Sequence, residues 1–172
     1  MGPYNIVVVK SFVYLGSEIT SENDTSAEVK RRIILASSRC LGGIRKLMRS
    51  KHLTHKTKLQ LYHQLVLPVL LYGAETWNLR TSEEQLLLVF ERKVLRMIYG
   101  PICINGEWRI LYNNELSQRY QHADVVQKIR AKRLRWAGHV VRMEPETPAK
   151  KVFTSDPDGD KRAIALKPDE WT

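Results

Sequence analysis

Two-metal phosphoryl transfer needs carboxylates clustered so that two cations sit about 4 Å apart, and this chain has no Asp-Asp pair. Its densest acidic run, Asp156-Pro157-Asp158-Gly159-Asp160, alternates acids like the start of a calcium loop. The glycine falls too early and a proline intervenes, so a loose turn is expected there. His52, His55, His63, His122 and His139 lack zinc-ligand spacing, and His63 and His139 read as surface or hydrogen-bonded core residues. Cys40 and Cys103 make neither a disulfide framework nor a metal site, and fit a reducing intracellular compartment. There is no phosphate-cradling glycine loop and no Gly-x-Ser-x-Gly elbow. Catalysis by this chain alone is not expected.

Charge is the chemistry the chain does carry. Over 172 residues, 28 Lys and Arg stand against 18 Asp and Glu, a formal net charge of +10, which favours a polyanionic partner, nucleic acid first. The cations are concentrated in two tracts. Lys30, Arg31, Arg32, Arg39, Arg45, Lys46 and Arg49 lie in a stretch whose only acid before Lys58 is Glu28. Lys128, Arg130, Lys132, Arg133, Arg135 and Arg142 lie in a second stretch with no acid from Val125 to Met143. A merely solvated helix mixes signs to gain i,i+4 pairs. Two nearly acid-free stripes suit phosphate-backbone contact, which is indifferent to base sequence. Tyr62, Tyr72, Trp77 and Trp136 lie in apolar patterns and are assigned to the core rather than to base stacking.

The elements that must position these residues are mostly helical. The stretch from Leu53 to Trp77 is predicted as the central helix, capped by Thr54, surrounded by other helices from Leu65 to Tyr72, and kinked near Leu67 by Pro68. Its apolar run is about half of the ~20 residues a membrane span requires, so no membrane partner is expected. Before it, β-branched and aromatic residues from Ile6 to Ile19 predict a small hairpin that must lean on a neighbour. A helix then starts near Ser26 with capping-box spacing between Thr25 and Glu28, weakened at Gly42-Gly43. Thr81-Ser82-Glu83-Glu84 opens a third helix with Leu86, Phe90, Val94, Met97 and Ile98 inward, closed by Gly100-Pro101. Residues Ile102 to Tyr112 are read as a loop. A short helix is expected over about Asn114 to Gln121, and a longer one capped by Asp124 with Val126, Ile129, Trp136, Ala137 and Val140 inward.

The expected organisation is a mainly α, helical bundle: a β-hairpin over 1–22, a helical bundle over 23–100, loop and basic helices over 101–149, and a disordered tail over 150–172.

An ordered series of short strings adds a resemblance: Phe12-Val13-Tyr14-Leu15-Gly16-Ser17, Glu28-Val29-Lys30-Arg31-Arg32-Ile33, Leu70-Leu71-Tyr72-Gly73-Ala74-Glu75-Thr76-Trp77, and Leu134-Arg135-Trp136-Ala137-Gly138-His139-Val140-Val141-Arg142-Met143. Residues 6 to 153 resemble the C-terminal part of the reverse transcriptase of non-LTR (LINE-type) retrotransposons. The resemblance implies a primer-grip hairpin, a thumb and the connection beyond it, from a parent RNA-directed DNA polymerase. It implies that Tyr14, Leu15 and Gly16 sit beside the primer terminus, with Gly16 allowing close backbone approach or a positive φ. Lys30, Arg31 and Arg32 would lie on the thumb helix facing RNA, DNA or an RNA–DNA hybrid, joined by Arg39, Lys58, Lys132, Arg133 and Arg135. The fingers and the palm with its catalytic aspartates and Mg2+ would belong upstream of Ile6, so no cofactor is expected here. A nuclear site follows from the same resemblance. Residues Asp160 to Thr172 depart from the family's Gly-Arg-Pro and Arg-Trp continuation, as a truncated or degenerate element copy would. The competing expectations are a helical protein-interaction module and a functionless relic.

Overall fold

The computed structural model describes residues 9–22 and 24–155. The acidic run at 156–160 and the hairpin's first residues, Ile6 to Val8, lie outside them. The chain divides into two compact units, Met1–Leu134 and Arg135–Thr172.

The first unit opens with an antiparallel hairpin, β1 (Ser11–Tyr14) and β2 (Ser17–Thr20), in which Phe12 faces Ile19 and Tyr14 faces Ser17. Its two turn residues, Leu15 and Gly16, have φ of 46° and 83°, as a type I′ turn requires at both central positions. Helix α1 (Ser26–Leu35) runs on through a π-helical segment, Ala36–Leu41, into α2 (Gly42–Arg49). It starts at the expected place with a different cap: the Asp24 carboxylate accepts the Ser26 N–H at 3.1 Å. Thr25 turns its hydroxyl to the Asn78 carbonyl instead.

The central helix is interrupted. Thr54 caps α3 (His55–Leu61) by accepting the Thr57 N–H; a π-helical segment, Tyr62–Val66, follows, then α4 (Leu67–Leu70). Pro68 has no N–H, and its ring crowds the carbonyl four residues back, at Gln64. A π turn widened over that residue relieves the crowding, so the expected kink is spread upstream of Leu67. The helix stops at Leu70, short of Trp77: Gly73 has φ 70° and a 3-10 turn, Ala74–Thr76, replaces the last helical turns. Val66, Leu67, Leu70 and Leu71 are buried as expected, while Leu65 and Tyr72 are nearly half exposed.

Helix α5 (Thr81–Tyr99) is the hub, packing against α1, α2 and α3. Glu83 accepts the Arg80 N–H at 2.8 Å, which places the cap one residue before Thr81. The buried face is Leu87, Phe90, Glu91, Val94, Leu95 and Ile98; Met97 packs half-buried against the same core, and Leu86 lies off it. The stretch read as a loop contains a second hairpin, β3 (Ile102–Ile104) and β4 (Glu107–Arg109), turning on Asn105 and Gly106 at φ 52° and 84°. Helix α6 (Asn113–Tyr120) packs on α5. Helix α7 (Val125–Val141) is capped by Asp124 as expected, and the cap is reciprocal: Asp124 accepts the Gln127 N–H while its own N–H reaches the Gln127 side chain. Val126 and Ile129 join the core; Trp136 is 44% exposed, not inward. A final helix, α8 (Pro148–Thr154), occupies the start of the stretch expected to be tail. The fold is mainly α, with small two-stranded sheets.

Candidate functional site

The N-terminal hairpin leans on α1 and on the chain beyond α4, through polar contacts. Arg32 is buried with Glu28, its Nε 2.5 Å from Glu28 Oε1. The same guanidinium donates to the Gly16 carbonyl at 2.5 Å and to Ser17 Oγ at 3.2 Å, and lies 4.5 Å from the Tyr72 ring centroid. Arg31 donates to the Gly16 carbonyl as well, and Tyr72 donates to the Leu15 carbonyl at 2.9 Å. Glu28 takes the Glu18 N–H through its second oxygen. A Cβ on Gly73 would come within 3.1 Å of Ser17 Oγ, so glycine there serves both its positive φ and the approach of the hairpin. At Gly16 a Cβ would meet open space, and φ alone demands glycine.

The candidate binding residues therefore separate by surroundings. Tyr14 and Leu15 stand out at the hairpin tip, 59% and 74% exposed. Arg31 and Arg32 are engaged by the hairpin and Glu28. Lys58 is buried. Lys132 donates to the Leu71 carbonyl at 3.0 Å and lies 3.7 Å from Glu75. Arg133, and Arg135 in the second unit, are exposed. Lys30 and Arg39 are exposed too, and neither pairs with a carboxylate among the described residues; Arg45, Lys46 and Arg49 further along are the same. Those three belong to the first basic tract, where only their exposure singles them out.

Sequence reasoning missed a buried polar cluster. Glu91, deep in α5, accepts the Tyr62 hydroxyl at 3.0 Å and the Val125 N–H at 2.9 Å, so that it caps α7 from another helix. Burial raises its pKa despite those donors and despite Lys128 at 3.9 Å. Burial likewise pushes Tyr62 well up and Lys128 down. His63 Nε2 lies 3.0 Å from the Tyr120 hydroxyl, which Lys128 also contacts at 2.8 Å. Burial first, then Lys128 and His122, hold His63 below its ordinary value. A neutral His63 can accept the Tyr120 proton while Tyr120 accepts from Lys128, which satisfies all three. The spacing of His63 and His122 in sequence gives no sign of this meeting. Among the described residues no group of three or more His, Cys, Asp or Glu is placed to hold a metal ion, and no helix is long and apolar enough to cross a membrane.

The chain is similar to an uncharacterised transposon-derived protein of Caenorhabditis elegans, 25% identical over 169 residues. The alignment covers 95% of this chain and 58% of the nematode protein, so the chain spans little more than half of that relative's length. No protein-family model matches the sequence. No solved structure matches either.

Proposed function

We propose that this chain is the primer-grip, thumb and connection part of a non-LTR retrotransposon reverse transcriptase, binding template–primer without itself catalysing synthesis. The observation that carries this reading is the exposed cationic face of Lys30, Arg39, Arg45, Lys46 and Arg49, along one nearly continuous helical stretch and free of paired carboxylates among the described residues. Unpaired cations on a rigid helix suit phosphates, because no internal ion pair has to break on binding. Similarity to a transposon-derived protein over nearly the whole chain supports the retroelement origin. The polymerase activity belongs, on this reading, to a palm that carries the metal-binding aspartates.

The test is fluorescence anisotropy with a labelled RNA–DNA hybrid across a salt series. Affinity should fall linearly in log–log form, with a slope of about 0.7 to 0.9 per phosphate contact. Replacing Arg39, Arg45, Lys46 and Arg49 together with alanine should flatten that slope by roughly 3, the sum of four such contacts. An unchanged slope removes this face from the interface. A protein-interaction module is the second reading, favoured by Phe12, Val13, Tyr14, Leu15 and Ile19, all 44% exposed or more on the first hairpin. It predicts no retention on nucleic acid and a salt-insensitive protein complex.

A further inference from the structure

Trp136 is not where its apolar pattern would put it. Its indole is 44% exposed, on the part of α7 that belongs to the second unit. Tryptophan combines a broad, flat apolar face with a single N–H, which is why it is enriched at binding surfaces.

The neighbours of this indole are cationic. Arg135, His139 and Arg142 are exposed, and spacings of four and three residues set them one after another along one side of the helix. His139 lies beside Trp136, the ring centroids 5.4 Å apart and the planes tilted by 44°. Arg142 folds back along the helix, so that a Cβ on Gly138 would lie 3.4 Å from its Nη1. Neither arginine pairs with a carboxylate among the described residues. No acid occurs from Val125 to Met143, and of those that follow, Glu146 is taken by Lys151.

Trp108 is more exposed still, at 72%, but its surroundings differ. The adjacent Arg109 is held by Glu115 through two bonds, at 2.8 and 2.6 Å, and Glu107 stands on its other side. An aromatic face without uncommitted cations offers nothing to the phosphates on either side of a stacked base.

We infer that Trp136 is a stacking platform for an unpaired base of single-stranded nucleic acid, with Arg135 and Arg142 on the flanking phosphates and His139 beside the ring. A duplex keeps its base faces within its own stack, so an exposed indole gains from unpaired nucleotides. The inference rests on the reading that this chain binds nucleic acid, and adds to the cationic face of α1 and α2 a second site that needs a single strand.

Fluorescence anisotropy on the full chain, with labelled oligo(dT) and oligo(rU) beside the RNA–DNA hybrid, tests it. Trp136→Ala should weaken both single strands about tenfold, toward the lower end of what one stacked base supplies, and leave the hybrid within about twofold. A loss on one single strand alone assigns the site to that sugar. Trp136→Phe keeps an aromatic face and should recover most of the loss, while Trp108→Ala should change nothing. Circular dichroism and the urea midpoint establish that each variant is folded. If Trp136→Ala does not fold, Arg135→Ala combined with Arg142→Ala carries the test: the single-strand salt slope should flatten by about 1.4, two contacts of about 0.7 each. Unaltered single-strand affinity in folded Trp136→Ala, an equal loss on the hybrid or at Trp108→Ala, or an unaltered slope in the arginine variant would overturn the inference. In each of these cases hybrid binding by the parent chain leaves the template–primer reading standing; a parent chain that binds neither single strand nor hybrid overturns both.

Discussion

Arg32 shows how one residue's role depends on what its neighbours leave unsatisfied. Three consecutive cations, Lys30, Arg31 and Arg32, look equivalent in sequence, yet Arg32 is the one buried in the crook where Glu28, Gly16, Ser17 and Tyr72 converge, while Arg31 reaches Glu28 and the Gly16 carbonyl from a partly exposed position. Replacing Arg32 with alanine removes the main partner of a buried carboxylate, and breaking a buried pair costs about 3 to 5 kcal/mol. Glu28 keeps Arg31 and the Glu18 N–H, so a loss near 3 kcal/mol, the lower end of that range, is expected from urea unfolding. Arg31→Ala, at a side chain about one-third exposed, should cost under about 1 kcal/mol. Equal effects of the two substitutions would refute the structural role given to Arg32. Lysine is no substitute, because a point charge cannot reach Glu28, the Gly16 carbonyl and Ser17 together as a planar fork does.

At the scale of elements, the two hairpins explain what the sequence disclosed and what it hid. Both turn on two residues at positive φ. Asn105-Gly106 is the strongest short-range hairpin signal, but its flanking strands have only three residues each, too few to show a strand period. Leu15-Gly16 carries no such signal, and its flanking β-branched and aromatic residues disclose the hairpin instead. Leu15 is a poor residue for φ 46°, and besides the strand pairing the bonds from Tyr72 to its carbonyl and from Arg31 and Arg32 to the Gly16 carbonyl help to hold the turn. Leu15→Asn should therefore stabilise the protein by about 1 kcal/mol, since asparagine tolerates the left-handed region and the leucine side chain is mostly in solvent. Amide exchange across Ser11–Thr20 should slow in parallel; a variant less stable than the parent would mean that the Leu15 side chain packs where the structure leaves it open. The helices are legible wherever polar caps or a closing glycine punctuate an apolar period, as at Thr54, Asp124 and Gly100. The end of the central helix is not, because the apolar run continues past Leu70 while the chain turns at Gly73, whose φ of 70° and closeness to Ser17 no apolar period announces. Glu91 is hidden for a related reason. A carboxylate within an amphipathic helix reads as solvated until Tyr62 and Val125 reach it from distant parts of the chain.

For the whole molecule, the net charge of +10 acts on folding and on binding with opposite signs. Lys30, Arg39, Arg45, Lys46 and Arg49 face solvent without carboxylate partners among the described residues, so their mutual repulsion opposes the folded state and salt screens it. The Debye length shortens to about 10 Å at 0.1 M salt, comparable with the spacing along such a helix. Exposed ion pairs such as Arg130–Glu84 lose strength in the same range, but each is worth only about 0 to 1 kcal/mol. The urea midpoint should therefore rise between about 20 and 200 mM salt, while affinity for a nucleic-acid duplex falls over the same interval. Alanine at Arg39, Arg45, Lys46 and Arg49 should bind hybrid more weakly and yet be at least as stable as the parent at low salt, because like charges leave and better helix formers enter. That pairing separates a lost binding face from a damaged fold. A variant that lost stability along with affinity would instead place these four cations among the contacts that hold the helices together.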